Sequence, residues 1–251
     1  MYSFPDTRAA TERFWAAIRL RLRASGIAAP EGLTHGKAAY WAAWEAPDLV
    51  LSQTCGFPLR ARLHLSVSLV GTPDYGVEGC PPGYYRSVVI VSAQDPAPDL
   101  AALRGDRFAY NDTLSQSGWA APHVFARSLG LLLRPAVCTG GHQISAQAVA
   151  EGAADLAAID CVTWSLLQRN EPALTSRLRV LALTDPTPGL PYISARDADL
   201  PTLFAAVSEA IASLSSNDRD TLFLRGLVDI PMASYLAVES PVPDNQSART
   251  T

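Results

Sequence analysis

From Asp6 to Ala24 the apolar residues Phe14, Trp15, Ile18 and Leu22 recur at the spacing of one helix face, with Asp6 or Thr7 placed to cap the start and Gly26 just past the end. A helix is predicted there. A shorter helical stretch, KAAYWAAWEA, follows Gly36 and stops before Pro47, because the residue ahead of a proline is pushed out of helical geometry. The apolar run DLVLS, Asp48 to Ser52, then has strand length and turn residues on its flanks. Further strand-type runs are Leu65 to Val70, Ser87 to Ser92, Arg107 to Tyr110, Arg134 to Cys138, Asp155 to Ile159 and Arg179 to Leu183. Several alternate with helical stretches, which predicts an α/β chain with parallel sheets built from crossover units. Trp15, Trp41 and Trp44 are assigned to helix packing.

Two places look like joints. SVVIVS runs into the turn-rich DPAPD around Ser87 to Asp95, and TDPTPGLPYIS carries prolines at 186, 188 and 191. The block between them has the size of a small lobe, so the expected division is 1–90 with 191–251 as one lobe and 91–190 as the other. The polar tail from Pro241 to Thr251 is expected to fray. No internal repeat of solenoid period is visible.

Of the 251 residues, 48% are hydrophobic and 18% charged, which excludes a fibre or a disordered chain and allows a core without disulfides or a structural metal. The formal net charge is -4, and the 20 basic residues form no block. Nucleic acid and membrane surfaces are therefore not expected partners, and a small ligand is. No window approaches the roughly 18 apolar residues of a membrane span. The opening MYSFPDTRAATERFW has acids and arginines where a secretory signal needs an apolar stretch. Cys55, Cys80, Cys138 and Cys161 form neither a CxxC pair nor a Cys/His cluster at zinc spacing. They read as reduced thiols in a core or at strand ends, with a pocket role for Cys55 or Cys138 as the lesser alternative. No metal or cofactor is expected.

Three strand-to-helix turns share one design: SQTCGFP after Leu51, NDTLSQSGW after Tyr110, and TGGH after Cys138. N–H groups without helical partners, aligned peptide dipoles and adjacent hydroxyls suit anionic oxygens. In open parallel sheets such turns gather at the carboxyl ends of the strands. Ser115 and Ser117 can equally serve as helix caps, and His142 can be an ordinary helix-start histidine. Asp160, at the end of the run Asp155-Leu156-Ala157-Ala158-Ile159, reads either as a ligand contact or as the N-cap of a helix starting near Val162. Tyr75, Tyr84, Tyr85 and Trp119 can wall a cleft or belong to a core.

Taken in order, VLSQTCGFP, GYYRSVVIVS, LRGDRFAYNDTLSQSGW and TGGH followed by AVAEGAADLAAID resemble the phosphate/phosphonate-type substrate-binding proteins of ABC transporters, from about Asp48 to Ala195. The resemblance implies a two-lobed type II periplasmic-binding-protein fold, with two crossover strands and a ligand cleft between the lobes. It also implies ligand contacts at Ser115, Gln116 and Ser117, at His142 and at Asp160, with Thr54 and Cys55 from the first lobe and Tyr85 near an aromatic position.

The expected function is capture of a small oxyanion such as phosphate or phosphonate by a transporter's binding component, without catalysis. The protein is expected to be a monomer that does not insert into a membrane and works with an ABC permease. Its expected location is periplasmic if an export signal precedes or preceded this start, and cytoplasmic if the chain is complete as given. The alternatives are a cytosolic ligand sensor on the same fold, or an enzyme on that fold using Cys55 as nucleophile and His142 as base.

Overall fold

The computed structural model describes residues 2, 4–36 and 39–241. Lys37 and Ala38 of the expected second helix, and the tail beyond Pro241 that was expected to fray, lie outside the described residues. The strands in chain order are β1 (Ser52–Gln53), β2 (Val67–Asp74), β3 (Tyr84–Tyr85), β4 (Ser87–Ser92), β5 (Arg107–Tyr110), β6 (Arg134–Cys138), β7 (Leu156–Asp160), β8 (Leu178–Leu183), β9 (Thr187–Pro188), β10 (Tyr192–Ala195) and β11 (Gly226–Val228).

The chain divides into two compact units. Among the described residues, the first comprises those up to Arg86 with Asp160–Pro172 and Pro186–Ala237; the second comprises Ser87–Ile159, Ala173–Asp185 and residues 238–241. These bounds differ from the expected ones at both crossings, at residues 160–172 and at residues 238–241, which group with the second unit and not with the first. The chain passes between units at 86/87 and 185/186, where 90/91 and 190/191 were expected, because β4 pairs with β8 from Val88 onward while β10 belongs to the first unit's sheet; the second crossing falls inside the proline-rich joint.

Residues 160–172, expected in the second lobe, group with the first unit, and the contacts of the helix Cys161–Asn170 give the reason. The Cys161 amide donates to the Arg86 carbonyl at 3.0 Å. The Arg169 guanidinium donates to the Asp220 carbonyl at 3.1 Å and lies 4.1 Å from the centre of the Phe223 ring. That places a cation at the carbonyl end of the helix Ser216–Leu222, where the helix dipole favours positive charge.

In the first unit the helix Arg8–Ala24 follows a 3-10 turn at Pro5–Thr7 and ends before Gly26, whose φ of +79° is cheap only for glycine. Its buried face of Phe14, Trp15, Ile18 and Leu22 belongs to one core with Leu203, Val207 and Ile211 of the helix Leu200–Ser213. Trp44 centres a second core with Leu59, Leu63 and Ile193.

The first unit's sheet has the order β1-β10-β2-β11 and its pairs are antiparallel, not parallel as the alternation suggested. Of the expected strand DLVLS only Ser52 enters the ladder. The Leu49 carbonyl takes the Ala195 amide at 2.9 Å, and the Ser194 hydroxyl meets the Val50 carbonyl at 2.8 Å. The apolar run is thus held by β10 without extending the strand.

In the second unit the alternation produces the expected architecture. Its sheet has the order β6-β5-β7-β4-β8, with β5 parallel to both β6 and β7 and β8 antiparallel to β4. Val89, Val91, Phe108, Leu156 and Ala158 share one core with Ala126. Because β5 and β6 are parallel neighbours, the turns leaving Tyr110 and Cys138 emerge at the same sheet edge. No helix among the described residues is long and apolar enough to cross a membrane.

Candidate functional site

In the second unit the turn after β5 begins a helix at Ser115, an extended residue whose hydroxyl oxygen accepts the Gly118 amide at 3.0 Å. Helical turns run through Gln116–Ala120 into Ala121–Ser128. Ser115 is therefore the cap. Ser117 is not: its Oγ lies 3.0 Å from Nε2 of His142, and its carbonyl accepts the Ser87 hydroxyl at 2.8 Å. Ser115, Gln116 and Ser117 are all buried.

The turn after β6 passes through Gly140, at φ +76°, and Gly141 into the helix His142–Ala150. The Thr139 hydroxyl ties this turn together, lying 2.6 Å from Ser145 Oγ and accepting the Gly141 amide at 3.4 Å. The Ser117–His142 hydrogen bond thus joins the starts of two helices that leave parallel neighbouring strands.

Sequence reading missed Asn111, although it sits inside the turn that was singled out. Its Oδ1 is buried without a hydrogen-bond partner. A Cβ added at Gly118 would fall 1.8 Å from that oxygen and 3.1 Å from Cε1 of His142. Asn111, Gly118, Ser117 and His142 therefore share one small space.

In the first unit Thr54, Cys55, Tyr85 and Asp160 are buried. Thr54 is fully enclosed and its hydroxyl has no hydrogen-bond partner; Cys55 is the N-cap of the short helix Gly56–Pro58. Of the two readings of Asp160, the contacts around it are those of a cap. Its Oδ1 accepts the amides of Val162 at 2.8 Å and Thr163 at 3.0 Å, and its Oδ2 accepts the Thr163 hydroxyl at 2.8 Å.

Tyr2, also missed from sequence, adds its hydroxyl to Asp160 Oδ1 at 3.2 Å and meets the Tyr75 ring edge-on at 5.0 Å. The Tyr75 hydroxyl in turn accepts from Gln53 Nε2 at 3.1 Å. Burial raises the pKa of the Tyr2 and Tyr75 phenols above their ordinary value, so both stay protonated.

No disulfide joins the four cysteines. Cys55 and Cys161 are buried, Cys80 is partly so and accepts from Arg86 Nε at 3.3 Å, whereas Cys138 is exposed. Cys138 is the strand-end case expected from the sequence: it ends β6, the edge strand of its sheet, most of which is solvent-facing. Burial pushes the Cys161 thiol up to about 12. Among the described residues no group of three or more His, Cys, Asp and Glu could hold a metal ion. A first-unit cleft of about 570 Å³, between Glu45–Val50 and Ser194–Asp199, contains none of the residues predicted for the site.

Two α/β units, each with its own sheet and with the chain passing repeatedly between them, define the fold of the periplasmic binding proteins, and solved structures agree. XAC2383 from Xanthomonas citri, bound to ATP, is similar at 18% identity and a TM-score of 0.68 over 90% of each chain. PhnD1 from Prochlorococcus marinus, in complex with methylphosphonate, is similar at 17% identity and a TM-score of 0.68, over 91% of this chain and 90% of that one. A binding component of an ABC phosphonate transporter from Pseudomonas aeruginosa is similar at 16% identity and a TM-score of 0.60, over 83% and 72%. No curated protein matches by sequence. The family model for the ABC transporter phosphonate periplasmic substrate-binding proteins matches residues 56–235, and the chain belongs to that family. Its function is solute binding.

Proposed function

We propose that the protein binds a small phosphorus oxyanion, a phosphonate or phosphate, at the two joined helix starts of the second unit. The observation that carries this reading is the 3.0 Å contact between Ser117 Oγ and His142 Nε2. It brings together two sets of N-terminal amides that lack helical acceptors, flanked by the hydroxyls of Ser115 and Ser117. One helix start contributes only about 0.3–1 kcal/mol per exposed charge, and about 2 when partly buried, so two are needed for useful affinity. Gln116 belongs to the same turn.

Thr54, Cys55 and Tyr85 are proposed as ligand contacts of the first unit, the enclosed and unpaired Thr54 hydroxyl being the group that most needs a partner. Asp160, occupied as a cap, is proposed to position its helix rather than to meet the ligand. Proteins of this fold bound to methylphosphonate and to ATP support a phosphorus oxyanion as the ligand class. The protein works without catalysis or a cofactor, as a periplasmic monomer that delivers its ligand to an ABC permease.

Calorimetric titration with methylphosphonate, phosphate and methanesulfonate tests this. Binding of a phosphorus oxyanion, weakened by about 1–3 kcal/mol in Ser117→Ala and in His142→Ala, is expected. Silence across the panel from micromolar to millimolar concentration overturns it.

A further inference from the structure

The Ser117–His142 pair has a property that the binding proposal does not use. A serine hydroxyl has one proton, and an imidazole nitrogen either accepts or donates. If Nε2 is unprotonated, the Ser117 proton points at it and the oxygen lone pairs are left facing any incoming oxyanion. If Nε2 carries a proton, that proton is donated to Ser117 Oγ, and the serine proton is released to turn toward the ligand. The same 3.0 Å geometry therefore has one polarity that repels an oxyanion and one that binds it.

We propose that oxyanion binding by this protein is coupled to protonation of His142, with the Ser117 hydroxyl as the element that reverses direction. This rests on the reading of the site as an oxyanion site. Neutral imidazole reaches the binding polarity by placing its single proton on Nε2, so affinity is reduced at high pH rather than abolished. Imidazolium reaches it without that constraint and adds a positive charge beside the ligand.

The ionisable groups on the elements of the second unit that pack against the His142 helix have partners or surroundings of their own. Within the unit, its helix packs on β4, β5 and β8. β4 carries no ionisable side chain. On β5, Tyr110 is held protonated by burial and by the Cys138 beside it, and Arg107 is tied to Asp155 at 2.7 Å. On β8, Arg179 donates to the Asp95 carbonyl at 2.9 Å. In the flanking turns, Asp112 accepts the Leu114 amide at 2.8 Å, and Cys138 is exposed. On the neighbouring helix, His123 Nδ1 lies 2.7 Å from the Trp119 carbonyl.

The test is an NMR titration of the imidazole nitrogens with and without methylphosphonate, His142 being assigned among the four histidines by its loss in His142→Gln. Saturating methylphosphonate is expected to move the His142 midpoint upward by about one unit or more, the effect of an opposite charge within a few ångströms. By linkage, the ratio of wild-type to His142→Gln affinity falls about tenfold or more between about pH 5 and pH 8. Glutamine can donate from Nε2 but does not titrate, and taking the ratio cancels the ligand's own ionisation. Binding with an unmoved His142 midpoint and a flat ratio overturns the coupling and leaves the oxyanion site standing. Absence of methylphosphonate binding overturns both.

Discussion

Ser115 and Ser117 are two residues apart, equally buried and chemically identical, yet the structure gives them different work, and substituting each with alanine separates the two roles. Ser115→Ala removes the 3.0 Å acceptor of the Gly118 amide. Loss of a serine N-cap costs about 0.5–2 kcal/mol, and a buried N–H left unpaired costs about 1–3 kcal/mol. We take about 1.5 kcal/mol as the expected loss. At about 2–4 °C per kcal/mol for a chain of this size, the melting temperature falls by about 3–6 °C. Ser117→Ala removes a hydrogen bond to a partly buried imidazole without orphaning a backbone amide, a net loss near the low end of the usual 0.5–1.5 kcal/mol, or about 1–2 °C. In binding the order reverses, because only Ser117 presents a proton that His142 can release to the ligand. Ser117→Ala should weaken methylphosphonate binding by about 1–3 kcal/mol and Ser115→Ala by less. Differential scanning calorimetry of the unliganded variants, paired with isothermal titration, reads both quantities. Equal melting losses with equal affinity losses would refute the division of labour, since both serines would then be caps.

Three further outcomes follow from the same geometry. Gly118→Ala should displace the Asn111 side chain and press on the His142 ring, so that affinity falls more than stability; unchanged methylphosphonate affinity would show that Asn111 and His142 do not share the ligand's space. Arg13 holds the Asp218 carboxyl, and Arg107 the Asp155 carboxyl, below the ordinary carboxylate range. A carboxyl depressed by folding stabilises above its unfolded pKa, about 3.9, and that stability is lost as pH falls through the folded value. Melting temperature should therefore drop below about pH 4, and less so in an Arg13→Met, Arg107→Met double variant. In iodoacetamide labelling at mildly alkaline pH, the exposed Cys138 should react first and Cys161, with its thiol near 12, last; early modification of Cys161 by mass spectrometry would contradict its burial.

How much of this was legible in the sequence depended on how far away each segment's partners lie. SVVIVS is buried along nearly its whole length in the second unit, so a continuous apolar run announced β4 and fixed its ends. The first unit's sheet is built from strands of two to eight residues whose neighbours are remote, Ser52 facing Ile193 and Gly226 facing Asp74. Nothing local in PYIS or RGLV states that partner, which is why β10 and β11 were missed and the sheet was expected to be parallel. Asp160 was legible as a cap because its donors are two and three residues downstream, whereas its acceptance of the Tyr2 hydroxyl spans 158 positions. The site follows the same rule. Each serine- or glycine-rich turn could be read alone as a cap, and the choice between Ser115 and Ser117 was decided by the extended backbone at Ser115, which no residue type encodes. What turns two ordinary helix starts into one candidate anion site is the parallel pairing of β5 with β6, because only that pairing puts the residues after Tyr110 and after Cys138 at the same edge and lets Ser117 reach His142. The same pairing explains how a chain of net charge -4 can be proposed to hold an anion. The attraction would come from amides and hydroxyls fixed at short range, which a diffuse negative charge, screened beyond about 10 Å at moderate salt, opposes only weakly.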